Sequence, residues 1–171
     1  SQYTPLLLKG LKERGVHATF FLMGKNIEGK EALVKQIQEE GHLIGNHTYN
    51  HVQLDKISKE AAKEEIEATN QKIFEITGVY PAWLRPPYGE WRKNLDFYVE
   101  MFPVFWDIDT LDWKNQNAEA VLQIVKSEVR DGAVILMHDA YQSSVDGAFQ
   151  IIDLLSKEGY EFVTVEELAL P

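Results

Sequence analysis

Short apolar runs alternate with helix-period segments along the whole chain, and this alternation restricts the fold more than any other feature. The runs lie at residues 18–23, 42–44, 82–85, 104–108, 133–137 and 162–165. The first, Ala18-Thr19-Phe20-Phe21-Leu22-Met23, is nearly all apolar and rich in strand formers, as expected of a parallel strand covered on both faces. The segments between them have readable helix ends. Thr4 followed by Pro5 reads as an N-cap and first helical residue, and Leu6, Leu7, Leu8 and Leu11 then give an apolar face that stops near Gly15. A helix over 31–40 ends at Gly41, and Ser58 caps a long one that stops near Gly78. Further helices are expected over 92–101, over 118–129 behind an Asn117 cap, over 145–158, and briefly after the last run.

Strict alternation with short connections predicts an α/β chain with a parallel sheet, either doubly wound or closed into a barrel. A length of 171 residues suits one domain over 1–171. The alternation opens on a helix, so the strand that should precede it is missing. In a closed barrel that gap would leave two neighbouring edges unpaired. The expectation is therefore a barrel lacking its first strand, truncated at its N-terminal end.

Composition narrows the function. Seventeen basic against 27 acidic residues give a net charge of −10, which argues against a phosphate-backbone partner, because nucleic-acid affinity depends on cations that neutralise phosphates. The chain has no cysteine, which excludes a disulfide scaffold and a thiolate zinc cluster but leaves the redox compartment open. No apolar run approaches the roughly 18 residues of a membrane span, and the first residues, Ser1-Gln2-Tyr3-Thr4-Pro5, show no signal pattern.

Polar clusters follow four of the apolar runs, at the carboxyl ends where active sites of such folds collect. His47-Thr48-Tyr49-Asn50-His51 carries imidazoles four residues apart. Zinc accepts neutral imidazole, but a catalytic site needs about three protein ligands, so this pair is an incomplete set. Arg85-Pro86-Pro87-Tyr88-Gly89 has two prolines that stiffen its backbone and could hold an N–H in place. Asp107, Asp109 and Asp112, with Trp113, end a third run, and His138-Asp139 ends a fourth. Each cluster alone has a plainer reading as a hydrogen-bonded pair, a turn, a solvated acidic loop or a structural histidine. All four in one chain, each behind a strand, favour a shared barrel mouth.

The motifs His47-Thr48-x-x-His51, Arg85-Pro86-Pro87-Tyr88-Gly89, Asp109-x-x-Asp112-Trp113 and Leu136-Met137-His138-Asp139 resemble, in order, the second to fifth motifs of the NodB-homology polysaccharide deacetylases, carbohydrate esterase family 4. Within that family the chain most resembles the peptidoglycan N-acetylglucosamine deacetylases of Gram-positive bacteria. The resemblance implies a distorted (β/α) barrel of the NodB-homology type and metal-assisted removal of acetyl from an N-acetylated sugar, with one divalent metal, zinc first and cobalt or another ion as alternatives. His47 and His51 would be ligands, with Thr48 bracing the loop between them. Arg85 would hold the catalytic base, and the Tyr88 N–H would bind the oxyanion. His138 would be the general acid with Asp112 behind it, while Trp113, Leu136 and Pro87 would contact substrate. Asp139 reads as a hydrogen-bonding neighbour or helix cap. His17 and His42 read as structural, and residues 59–75 as a solvated helix.

The first motif of that family, Thr-Phe-Asp-Asp-Gly-Pro, is not among these residues, and Tyr3-Thr4-Pro5 resembles what normally follows it. Its aspartates would be the base and a third ligand. The expectation is that an N-terminal segment carrying the first strand and Asp-Asp is the necessary partner. The alternatives are an inactive sugar-binding relic that keeps Tyr88, Trp91 and Trp113, a metal site rebuilt on Asp107 or Asp109, and a deacetylase of chitin or xylan. An extracellular or cell-surface location follows from the resemblance alone.

Overall fold

A computed structural model describes residues 1–92, 95 and 99–170, which divide into two compact units: Thr19–Phe105, and Ser1–Ala18 together with Trp106–Pro171. The Thr19–Phe105 unit is built on a parallel sheet whose strands pair in chain order: β1 (Thr19–Leu22), β2 (Leu43–Asn46), β3 (Trp83–Leu84) and β4 (Phe102–Pro103). Parallel neighbours need a crossover, and helices α2 (Glu31–Glu39) and α3 (Lys59–Thr77) supply the first two. Register is explicit along β1 and β2, where Thr19 faces Leu43 and Leu22 faces Asn46. Asn46 also faces Leu84, so the carboxyl end of β2 is flanked by strands on both sides.

The ends of α3 follow its sequence. The Ser58 side chain accepts from the Ala61 N–H, and Gly78 stops the helix at φ 73°, a left-handed value that suits glycine. Its inner face, with Ala62 and Ile66, joins Leu54, Leu84, Leu95, Val99 and Met101 in one core. Side chains such as Leu84 and Ile66, wholly removed from water, each contribute about 2 kcal/mol. The helix expected over 92–101 falls on 93, 94 and 96–98, which lie outside the described residues.

The second unit holds α1 (Thr4–Arg14), strands β5 (Ile108–Asp109) and β6 (Ile135–Leu136), and helices α4 (Asp112–Asn115), α5 (Ala118–Glu128), α6 (Gln142–Lys157) and α7 (Val165–Ala169). β5 and β6 form a parallel pair over a core of Ile108, Val121, Val125, Ile151 and Leu155. α1 packs on α6, where Arg14 lies 4.4 Å over the Phe149 ring and makes two bonds to Asp153, at 2.8 and 3.0 Å.

The chain is α/β with parallel pairing throughout, but among the described residues the strands form two sheets and neither closes into a barrel. The run at 104–108 does not form one strand. Val104 N–H donates to Leu84 in one unit, whereas the N–H groups of Asp107 and Ile108 donate to Val134 in the other. The run at 162–165 forms no strand. Thr164 caps α7 instead, and its N–H is held by the Glu167 carboxylate at 2.7 Å, so it has no donor left for a ladder. α1 begins at Thr4, with Tyr3 rather than Thr4 as its N-cap, because the Thr4 hydroxyl is engaged with Asp139.

Candidate active site

In the Thr19–Phe105 unit the imidazole loop leaves the end of β2 and is held on every side. His47 N–H extends the ladder to Leu22 O at 2.9 Å. The buried Asn46 side chain accepts from Thr48 N–H at 2.7 Å and donates to Ile66 O at 2.8 Å and Asn70 Oδ1 at 2.7 Å, both on α3. From the other side, Gly24 and Lys25 N–H groups donate to the carbonyls of Thr48 and Tyr49. Gly24 is required there, since a Cβ would stand 2.4 Å from the Tyr49 ring. These ties hold two residues in the left-handed region, Thr48 at φ 60° and His51 at φ 62°, a conformation that costs on the order of 1 kcal/mol or more for each non-glycine residue. Thr48 does brace the loop, but through its backbone. Its hydroxyl is buried and meets no partner among the described residues.

The ring centroids of His47 and His51 are 4.8 Å apart at 68°. Nδ1 of His47 lies 2.6 Å from the Arg85 carbonyl oxygen, which can only accept, so Nδ1 carries the proton and Nε2 is the ring nitrogen with the lone pair. The edge of His51 meets Tyr88 at 4.9 Å. Tyr88 sits at φ 61° in the short turn Pro87–Gly89, where the following N–H groups of Gly89 and Glu90 close back on Pro86 and Pro87. The second residue of such a turn has no acceptor within it, so the turn's own bonds do not use the Tyr88 N–H. Pro87 is buried, and the Tyr88 ring is 64% exposed.

Arg85 is buried beneath this loop. Its N–H donates to Asn46 O, its Nη2 donates to Phe105 O at 3.3 Å, and its guanidinium stacks 4.4 Å over the Phe21 ring. Burial lowers its pKa to about 10, so it remains a cation at neutral pH.

In the second unit Asp112 opens α4 with its side chain 1% exposed. One oxygen accepts the His138 N–H at 2.7 Å, and the other faces His138 Nδ1 at 2.9 Å and accepts Trp113 N–H at 2.9 Å. Burial alone would raise the pKa of this carboxyl. The bonds from the His138 ring and backbone, with the imidazole charge, outweigh it and hold Asp112 below the usual carboxylate range. The His138 ring is 42% exposed, so its outer nitrogen can reach a ligand. Trp113 is half exposed, and Leu136 is buried. Thr110, fully buried, donates to Leu136 O at 2.8 Å and ties the acidic loop to β6.

Asp107 and Asp109 have other partners. Asp107 is bonded by Arg130 and by Val134 N–H, and Asp109 accepts from Leu111 N–H two residues on. Asp139 is bonded by Thr4, in keeping with a cap or neighbour. His42 is buried with Phe20 at its edge. Among the described residues no group of three or more His, Asp or Glu side chains is placed to hold a metal ion. The His47 and His51 donors fit part of a zinc site, as two ligands of the three expected. Neither Asn46 nor Thr110 is given a role by the sequence pattern. An Asn two residues before a left-handed Thr was the available signal for the first.

Residues 1–103, more than half of the chain, match the family model for polysaccharide deacetylase, and the chain belongs to that family. Several of its relatives are named as peptidoglycan deacetylases. The peptidoglycan-N-acetylglucosamine deacetylase PgdA of Listeria monocytogenes is 38% identical over 98% of this chain and 36% of its own length. The structure of the peptidoglycan deacetylase PdaC from Bacillus subtilis superposes with a TM-score of 0.94 at 35% identity, covering 98% of this chain and 83% of that one. A CE4-family pseudoenzyme from Bacillus anthracis superposes with a TM-score of 0.91 at 30% identity, over 98% of this chain and 60% of that one. The chain thus spans about a third of the length of the Listeria relative.

Proposed function

We propose that this chain is the catalytic region of a metal-dependent deacetylase that removes acetyl from N-acetylglucosamine residues of peptidoglycan, outside the cell or at its surface. The observation that carries the reading is the His47 ring, whose Nδ1 is committed to the Arg85 carbonyl and whose centroid lies 4.8 Å from that of His51. The names of the relatives support the substrate.

His47 and His51 hold one divalent cation, zinc by preference for imidazole, and an Asp-Asp segment of the family's first motif supplies the third ligand and the base. When bound, the cation makes a water nucleophilic near neutral pH and polarises the acetamide carbonyl. The chain's own residues do the rest. The Tyr88 N–H shares the negative charge that develops on the carbonyl oxygen. Arg85, cationic and fixed by stacking, orients the base carboxylate. His138 gives a proton from its outer nitrogen to the departing amine, because an amide nitrogen leaves poorly unless protonated. Asp112 holds that ring by Nδ1. Trp113, Leu136 and Pro87 contact the sugar and its acetyl group.

The test is acetate release from an N-acetylglucosamine oligomer by the full-length protein, with chelator and after zinc is restored. Chelator-sensitive release that zinc recovers supports the reading. Oligomer binding without release, indifferent to chelator, would instead favour a silent sugar-binding protein, the reading that the pseudoenzyme neighbour brings forward.

A further inference from the structure

We propose that Glu65 is a positioning residue for the imidazole pair, acting through Asn50; this rests on the reading that His47 and His51 hold the metal. Glu65 stands on α3, and each of its carboxylate oxygens accepts one N–H of Asn50. Oε2 takes the backbone N–H at 2.7 Å and Oε1 takes the side-chain amide at 2.7 Å. Two bonds from one carboxylate fix both the position and the rotation of the residue they hold. Asn50 immediately precedes His51, whose backbone at φ 62° is one that only a few per cent of non-glycine residues adopt, so bonds to its neighbours help to hold it.

The other end of the loop is tied to the same helix. Asn46 donates to the Ile66 carbonyl and to Asn70, and residues 65, 66 and 70 lie within five positions of one another on that helix. α3 therefore grips the 46–51 segment at both ends, and Glu65 sets the end that carries His51. The packing of α3 does not depend on Glu65. Ala62, Ile66, Thr69 and Ile73 are its buried residues, whereas Glu65 is partly exposed. Removing the carboxylate should leave the fold in place and release the peptide that aims His51.

The experiment measures zinc affinity of the full-length protein by competition with a chromophoric chelator, alongside thermal melting, for the wild type, Glu65→Ala and Glu65→Gln. Glu65→Ala should weaken zinc binding by about tenfold, the lower end of what loss of an outer-shell partner costs, with little change in Tm. Glu65→Gln should restore most of the affinity. Its Oε1 can accept the Asn50 N–H, and its Nε2 can donate to the Asn50 amide oxygen once that amide turns over. Asn50→Ala, which keeps the backbone N–H bond to Glu65, should lose less than Glu65→Ala, and the double variant should lose no more than Glu65→Ala alone. Equal zinc affinity in the wild type and Glu65→Ala overturns this inference and leaves the metal reading standing. So does a loss of affinity that only follows a large fall in Tm. A full-length wild-type protein that takes up no zinc overturns the two-imidazole reading, and this inference with it.

Discussion

Asp112 holds His138 twice, accepting its backbone N–H at 2.7 Å and facing its ring Nδ1 at 2.9 Å. One carboxylate thereby sets where the histidine stands, how its ring is turned and which nitrogen faces outward. Replacing it with Asp112→Asn keeps the shape but turns an N–H toward Nδ1, which favours the neutral ring with its proton on the outer nitrogen. A neutral imidazole is a far weaker acid than imidazolium. Acetate release should fall by about 10²- to 10⁴-fold in kcat, the range of general acid catalysis, and His138→Ala should fall as far. Steady-state kinetics on an N-acetylglucosamine oligomer checks this, and an Asp112→Asn enzyme with unchanged kcat would remove Asp112 from the mechanism.

The same carboxylate makes stability depend on pH. Its pKa is lower in the folded chain than in the unfolded one, so the unfolded state binds more protons through the acid range. Its contribution is fully present above the ordinary aspartate value, near 4, and is lost as pH falls through the depressed folded value. Melting temperatures of the wild type and Asp112→Asn should therefore differ most near pH 6 and converge toward pH 3. A difference that stays constant over that interval would show that ionisation of Asp112 does not contribute.

Local signals in the sequence carried much of this structure. The caps at Ser58 and Asn117 and the left-handed glycines at 15 and 78 are found where their residue types place them. Thr164 misled because Phe162-Val163-Thr164-Val165 has strand composition, yet Thr164 and Glu167 stand at capping-box spacing, and a local box forms more readily than a distant ladder. Asn46 was legible as a neighbour of His47 but not as the residue that orders the loop, because its partners Ile66 and Asn70 lie 20 and 24 residues away. The acceptor that sets the His47 proton is the backbone carbonyl of Arg85, and a carbonyl has no side-chain identity to read.

Gly45 lies where β2 passes both Phe21 and β3. A Cβ there would stand 2.5 Å from the Phe21 ring and 3.0 Å from the Trp83 carbonyl. The backbone cannot yield without disturbing strand pairing, so the ring must move, and the ring is the platform on which Arg85 stacks. Gly45→Ala should destabilise the chain by about 1–3 kcal/mol, the usual cost of overpacking. This outweighs the entropy of up to ~1 kcal/mol that replacing glycine recovers. Denaturant melts give the sign, and a variant as stable as the wild type would mean that Phe21 has room to shift.

Asn46→Asp tests the buried hub by changing one atom. The remaining oxygen can still accept from Thr48 N–H, but the amide that donated to Ile66 O and Asn70 Oδ1 becomes an oxygen facing two acceptors. Asn46 is fully buried, so water cannot relieve the conflict. Each unsatisfied buried partner costs about 1–3 kcal/mol, and a buried charge adds to that, so a loss of at least about 3 kcal/mol is expected. Protonating the new carboxyl restores one donor. The deficit relative to wild type should therefore shrink as pH falls, the opposite of the effect expected if Asn46 only filled space. Urea midpoints for both proteins at pH 7 and pH 5 provide the comparison. A deficit that is small, or that does not change with pH, would mean that the loop is held by the Gly24, Lys25 and Glu65 bonds without Asn46.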